Sequence, residues 1–269
     1  MTQAPVVPAK TRAQIPERTL RKDNWWREPR ITAAALTIWV AYACVHVFLG
    51  RWYWVPRYHY LTPFYSPCVS GACAPGASSL GTWFPKVPSI IPYAVVALPF
   101  ILGFRLSCYY YRKAYYRAFY RAPEACAVRE PHAKYTGETR LPLILQNVHR
   151  YFFYIALIFN VILTIDAVLA FKNHQGQWGH MGLGTLVLIV NATLLWLYSL
   201  SCHACRHITG GRLKHFSKHP VRYKAWVQIS KLNARHMGLA WTTLASLAVT
   251  DFYVMAVSAG WFSDLRFIH

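Results

Sequence analysis

Acidic residues are scarce in this chain of 269 residues, which has nine Asp and Glu, 29 Lys and Arg, and a formal net charge of +20. A protein this basic can belong to the nucleic-acid-binding class. Its basic residues argue against that class because they gather in three segments, residues 1–30, 105–150 and 206–235, which hold 7, 9 and 8 of the 29. Long apolar runs separate these segments, as in a membrane protein whose cytoplasmic loops are basic.

Charged side chains are nearly absent from five apolar runs, each close to the length of about 20 residues that crosses a bilayer. These runs are residues 31–50, 90–108, 151–171, 181–201 and 237–261. The sequence therefore predicts an all-α, multi-pass membrane protein with five transmembrane helices and a cytoplasmic N-terminus, because that orientation puts all three basic segments inside. We expect a cytoplasmic segment over residues 1–30 and a membrane domain over residues 31–269, with spans at about 31–53, 88–115, 145–172, 181–208 and 232–262.

The first 30 residues lack the apolar core of a cleavable signal peptide. They end in KDNWWREPR, which places Trp25 and Trp26 beside charges, as at a membrane interface. The loop over residues 55–88, on the opposite side, contains six prolines and is expected to be irregular. Cys68 and Cys73 in this loop could form a short disulfide, because the outer side of the membrane is oxidising.

The C-x-x-C-H motif of a covalently attached haem is also missing. The segment LSCHACRH, residues 200–207, comes close to it, but Arg206 follows the second cysteine. Cys202 and Cys205 are three residues apart on one helical face, so both could bind one metal, together with His203 or His207. We prefer Cys202 as the ligand, with Cys205 as the alternative, because only Cys202 has a counterpart elsewhere in the chain.

The second and third predicted spans form one helical hairpin and the fourth and fifth form another, and the two hairpins carry similar residues in the same order. The triplet Leu-Ser-Cys stands at the cytoplasmic ends of two spans and contains Cys108 and Cys202, and His149 and His236 stand at the cytoplasmic starts of the spans that follow. This order suggests a duplicated hairpin whose helix ends bring all four side chains to one membrane level. Such a set could bind zinc or a Rieske-type [2Fe–2S] cluster, or the two histidines could bind haem b.

Four other polar residues lie near the outer ends of the predicted spans: His46, Asp166, His180 and Asp251. Acidic side chains are costly in lipid, so Asp166 and Asp251 either reach the outer headgroups or take part in proton transfer or quinone binding. His46 and His180 could ligate a second, outer haem. The second predicted span has no histidine, which weighs against two haems with ligands on four different helices.

The chain resembles the membrane-anchor subunit of succinate dehydrogenase and fumarate reductase, in particular the actinobacterial (mycobacterial) type. The segments that carry the resemblance are NWWREPR, LSCYYYRKAYYRAFYR, QNVHRYFFY and LSCHACRH. The resemblance implies that flavoprotein and iron–sulfur subunits dock on the cytoplasmic face. It also implies that this chain does not itself oxidise succinate, and that it passes electrons to quinone in the bacterial cell membrane.

Many members of that family carry one or two haems b, but Cys108 stands where a histidine ligand would be expected. The predicted centre is therefore a Rieske-type [2Fe–2S] cluster, with Cys108 and Cys202 on one iron and His149 and His236 on the other. Two alternatives remain open. One is a haem b anchor whose ligands are either His149 and His236 or His46 and His180. The other is a transporter or structural membrane protein in which the two cysteines and two histidines bind zinc.

Overall fold

The computed structural model describes residues 22–268 except residues 87, 89, 123, 124, 126, 127, 129–139, 142 and 212. Most of the expected N-terminal segment therefore lies outside the described residues. Within the described part the chain is mostly helical, which confirms the predicted class.

Four helices in the described part are long and apolar enough to cross a membrane, and they match the first, third, fourth and fifth predicted spans. They are α1 (Arg27–Leu49), α4 (His149–Leu169), α5 (Leu183–Leu200) and α8 (His236–Ser258). The shortest of them has 18 residues, which corresponds to about 27 Å at the helical rise of 1.5 Å per residue. Length and composition are therefore sufficient for four crossings.

The second predicted span is bent. It consists of α2 (Ala94–Leu106), α3 (Tyr109–Tyr115) and a π-helical turn (Tyr116–Tyr120), and the two parts differ in direction by 85°. The break lies at Cys108, whose extended backbone (φ −69°, ψ 130°) separates α2 from α3. The predicted second span, at about residues 88–115, is therefore not one continuous helix, because Cys108 leaves the helical conformation.

The chain breaks in a similar way after α5. Cys202 is extended (φ −64°, ψ 142°), and its thiol accepts a hydrogen bond from the backbone N–H of Ala204, near the start of α6 (His203–Gly210). α7 (Pro220–Asn233) then leads to α8. Both cysteines of the Leu-Ser-Cys triplets thus occupy the N-cap position of a short helix. Single 3-10 segments lie at Pro63–Tyr65, Leu143–Val148 and Phe216–Lys218.

The opposite end of the bundle is closed by loops and two small antiparallel ladders. β1 (Trp54–Val55) pairs with β2 (Tyr60–Leu61), and β3 (Met181–Gly182) pairs with β4 (Arg266–Ile268). A disulfide joins Cys68 to Cys73 in the loop between α1 and α2.

The helices approach closely on the side where the candidate site forms. A Cβ atom at Gly103 of α2 would overlap the ring of Phe152 of α4, so the absence of a side chain lets the two helices approach here. Phe104, Tyr111, Phe153 and Tyr198 belong to one buried apolar cluster together with the cysteines of both triplets. The candidate site therefore packs against a buried layer of aromatic side chains.

Candidate metal centre

The four predicted ligands meet at one end of the bundle. Cys108 and Cys202 cap α3 and α6, and His149 and His236 are the first residues of α4 and α8. Nε2 of His149 lies 3.1 Å from Sγ of Cys202, and Nε2 of His236 lies 3.5 Å from Sγ of Cys108. Each contact joins one hairpin to the other, so neither hairpin forms the site alone.

A serine fixes each imidazole from its other nitrogen. Oγ of Ser107 lies 2.8 Å from Nδ1 of His149, and Oγ of Ser201 lies 2.6 Å from Nδ1 of His236. Each hydroxyl donates its own hydrogen to a backbone carbonyl three or four residues earlier. We therefore assign the ring hydrogen to Nδ1 in both histidines, which leaves the lone pair of Nε2 facing a cysteine sulfur.

An aromatic ring lies flat against each imidazole. Phe104 stacks on His149 with ring centroids 5.0 Å apart and planes 3° apart, and Tyr198 stacks on His236 at 4.9 Å and 7°. These aromatic residues and the two serines were missed by the reading of the sequence. The signal was present, because in both hairpins an aromatic residue stands three positions before the serine.

A cavity of about 450 Å³ opens beside these side chains, and all four predicted ligands line it. Among the described residues Cys202 belongs to its wall, whereas Cys205 is buried outside it. This geometry favours Cys202 over the alternative ligand. Within the described ranges no three His, Cys, Asp or Glu side chains gather tightly enough for a single metal ion, so the donors form two Cys–His pairs.

The donor set suits a cluster of two metals. Thiolate and neutral imidazole are ligands of iron–sulfur clusters and of zinc. A [2Fe–2S] cluster takes two protein ligands on each iron, whereas a single ion would require the two pairs to converge on one point.

The buried pair of His46 and Asp251 lies far from this centre. Asp251 is 15 residues beyond His236 on α8, which is roughly 22 Å along the axis. Nδ1 of His46 lies 2.5 Å from Oδ2 of Asp251, and Tyr42 donates a hydrogen bond of 2.7 Å to the same oxygen. This contact joins α1 to α8 inside the protein, because His46 is 1% exposed and Asp251 is fully buried.

The other two outer residues have separate surroundings. Asp166 accepts hydrogen bonds from the hydroxyls of Ser66 and Ser79 in the loop between α1 and α2. Its carboxylate therefore fastens that loop to α4 instead of facing lipid. His180 is half-buried before β3, and in the described structure the ring contacts of His46 do not include it.

A smaller pocket of about 110 Å³ lies beside the centre, among residues of α1, α3, α8 and the π-helical turn. Tyr110 lines both this pocket and the larger cavity, and its ring centroid is 5.2 Å from that of His236. On the pocket wall Arg117 donates two hydrogen bonds of 3.1 Å to the carboxylate of Glu28. Trp241 supplies a second aromatic surface. One tyrosine ring thus separates the small pocket from the candidate centre.

Comparison with known proteins agrees with this architecture. The family model described as actinobacterial succinate dehydrogenase subunit SdhC matches residues 27–260, a range that contains all four candidate ligands. Among solved structures, the chain is similar to one from the Mycobacterium smegmatis Sdh1 complex in the apo form. The TM-score is 0.89 and the identity is 60%, over 97% of this chain and 98% of that chain. No curated protein matches the chain.

Proposed function

Because the chain belongs to the family of the actinobacterial succinate dehydrogenase subunit SdhC, we propose that it relays electrons from an iron–sulfur subunit to membrane quinone. The relay is a Rieske-type [2Fe–2S] cluster bound by Cys108, Cys202, His149 and His236. The observation that carries this proposal is the meeting of two Cys–His pairs from two hairpins at one end of the bundle.

The residues of the chain prepare the site for such a cluster. The thiols of Cys108 and Cys202 lose their hydrogens when they bind metal, as cysteine ligands do. Ser107 and Ser201 hold His149 and His236 with Nε2 free to bind. Cys108 and Cys202 would hold one iron of the cluster as thiolates, and His149 and His236 would hold the other iron through Nε2. When bound, the cluster supplies one-electron transfer.

The geometry favours this centre over the alternatives. Each Nε2 atom faces a sulfur within 3.5 Å, and a haem b held by His149 and His236 would leave both cysteines without a ligand role, whereas the cluster uses all four donors. A single zinc ion needs four ligands around one point, and the described residues form two pairs. Zinc also has no redox chemistry, which the activity of a succinate dehydrogenase complex requires.

We expect metal analysis of the purified complex to separate these three centres. Its iron and labile sulfide should exceed those of the isolated iron–sulfur subunit by about two each per complex. Reduction should produce the EPR signal of a Rieske centre without the α-band of haem b, and zinc should be far below one per chain. A haem α-band, or one zinc per chain without extra iron, would reject the cluster.

We place the quinone headgroup in the small pocket beside the centre. Tyr110 and Trp241 offer flat aromatic walls, and Thr32 and Lys113 lie in the same wall with groups that can donate hydrogen bonds to a quinone oxygen. The Tyr110 ring touches both the pocket and His236, so the electron path is short. The buried pair of His46 and Asp251 is about 22 Å farther along α8, which makes that end a less suitable quinone site.

Replacing Tyr110 with leucine tests the pocket. We expect Tyr110→Leu to lower kcat/KM for quinone by about two- to tenfold, because an aromatic contact contributes about 0.5–1.5 kcal/mol. Succinate oxidation with a soluble artificial acceptor should be unchanged. The matched control is Tyr151→Leu, since Tyr151 is 67% exposed on α4. Unchanged quinone kinetics would remove Tyr110 from the pocket, and loss of the EPR signal would assign it to the centre instead.

The topology completes the proposal. The bent pair of α2 and α3 acts as the second of five crossings, with the basic segments on the cytoplasmic face of a bacterial cell membrane. Exposed Lys214 and Lys218 follow α6, whose His203 and His207 line the cavity, and exposed Arg222 and Lys224 lie in the first half of α7. These cations dock the iron–sulfur and flavoprotein subunits, which carry out succinate oxidation. Docking at this end keeps the path from their clusters to the centre short.

A further inference from the structure

Arg105 is a buried cation in the last turn of α2, with 6% of its surface exposed. Its guanidinium donates hydrogen bonds to the hydroxyls of Tyr111 and Thr243, both of which are neutral. None of the ion pairs found among the described residues includes it. A buried charge without a counter-charge is costly, so its presence calls for a partner that these side chains do not supply.

The guanidinium lies directly behind the candidate centre. Arg105 precedes Cys108 by three residues, and its Cζ atom is 5.1 Å from the ring centroid of Tyr198. Tyr198 in turn stacks on His236. Arg105 is not part of the described wall of the 450 Å³ cavity, so it does not touch a group bound there. Its influence on the centre acts through space, across one layer of side chains.

We propose that Arg105 is the fixed counter-charge of the [2Fe–2S] centre and raises its reduction potential. This inference rests on the proposed function. When the centre takes one electron from the reduced cluster of the iron–sulfur subunit, that cluster is oxidised and the charge of the centre becomes more negative by one. No covalent bond forms or breaks. A cation held nearby in a low-dielectric interior stabilises the reduced form more than the oxidised form.

The hydrogen bonds of Arg105 could also have a purely structural role, in which Arg105 only links α2 to α3 and α8 through Tyr111 and Thr243. The two roles differ in what they require of residue 105. A link requires hydrogen bonds of the right shape, whereas a counter-charge requires only the positive charge. The reduction potential responds to charge, and thermal stability responds to the link.

The test is an EPR-monitored redox titration of the purified complex with Arg105→Gln and Arg105→Lys. We expect Arg105→Gln to lower the ratio of reduced to oxidised centre at a fixed potential at least tenfold, which is about 59 mV for one electron. Arg105→Lys should change the ratio by less than about threefold, because it keeps the charge. The structural control is Thr243→Val, which removes a hydrogen bond and leaves the charge in place, and it should leave the potential unchanged.

Each outcome decides the matter. An intact signal at an unchanged potential in Arg105→Gln would overturn the inference, and so would equal shifts in the Gln and Lys variants. If only Arg105→Gln loses the EPR signal of the centre, the centre requires the positive charge at residue 105, as we propose. If both variants lose the signal, the centre requires the hydrogen bonds of the guanidinium, and the inference fails. A wild-type complex without a Rieske signal would instead overturn the proposed function, so the two failures are distinguishable.

Discussion

The double variant His149→Ala with His236→Ala is expected to lose the Rieske EPR signal and at least about 100-fold of its succinate:quinone reductase activity. The physical reason is that both Nε2 lone pairs face the cysteine sulfurs and would be the nitrogen donors of the proposed centre. Loss of residues that merely support metal ligands already costs about 10–100-fold in affinity or activity. Succinate oxidation with a soluble artificial acceptor should persist, because the partner subunits are untouched.

A second pair of histidines at the same cavity provides the matched control. His203 and His207 line the cavity on α6, and no contact of their rings with a cysteine sulfur is found in the described residues. The variant His203→Ala with His207→Ala removes the same number of imidazoles and should keep both the signal and the turnover. Unchanged spectra and turnover in the variant of His149 and His236 would refute the ligand assignment.

The second large effect is expected when Cys202 and Cys205 are compared. Cys202→Ser should lower the occupancy of the centre at least about tenfold, by analogy with the cost of losing supporting groups. Its sulfur lies 3.1 Å from Nε2 of His149, and hydroxyl oxygen is a harder ligand than thiolate. Cys205→Ser should keep the centre, because Cys205 is buried outside the cavity wall. Iron content and the amplitude of the EPR signal measure both effects.

These two variants control for each other. Cys202 and Cys205 are three residues apart, are both buried, and belong to the same apolar cluster. A hydroxyl in place of a thiol therefore perturbs packing to a similar extent at either position. Loss of the centre in Cys205→Ser, together with its retention in Cys202→Ser, would exchange their roles and contradict the geometry described above.

The sequence predicted the spans because hydropathy and charge are local properties. An apolar run of about 20 residues has one stable position in a bilayer, whatever its neighbours do. The bend at Cys108 was not predicted, since the apolar and aromatic residues on both sides are compatible with a continuous helix. The break depends on the backbone conformation of a single residue, and tertiary contacts on both sides of Cys108 stabilise it.

The hydrogen-bond partners of the polar residues at the outer end of the bundle were likewise not predictable from the sequence. Asp166 stands in an apolar run, and its position alone leaves lipid headgroups, protons and quinone as candidate partners. The structure gives it two loop serines as hydrogen-bond donors. Residues 100 positions apart meet in one of these bonds. Such partners depend on how the loop folds over the bundle, which no local pattern encodes.

For the proposed centre, the sequence alone identified the four candidate donors and predicted that they lie at the same end of the bundle, because helix ends lie where apolar runs stop. Only the tertiary structure decided that each sulfur meets the imidazole of the other hairpin, and that a buried arginine stands behind them. These relations depend on the rotation and tilt of packed helices. A rotation of one residue turns a helix by about 100° and would point the same side chains at lipid.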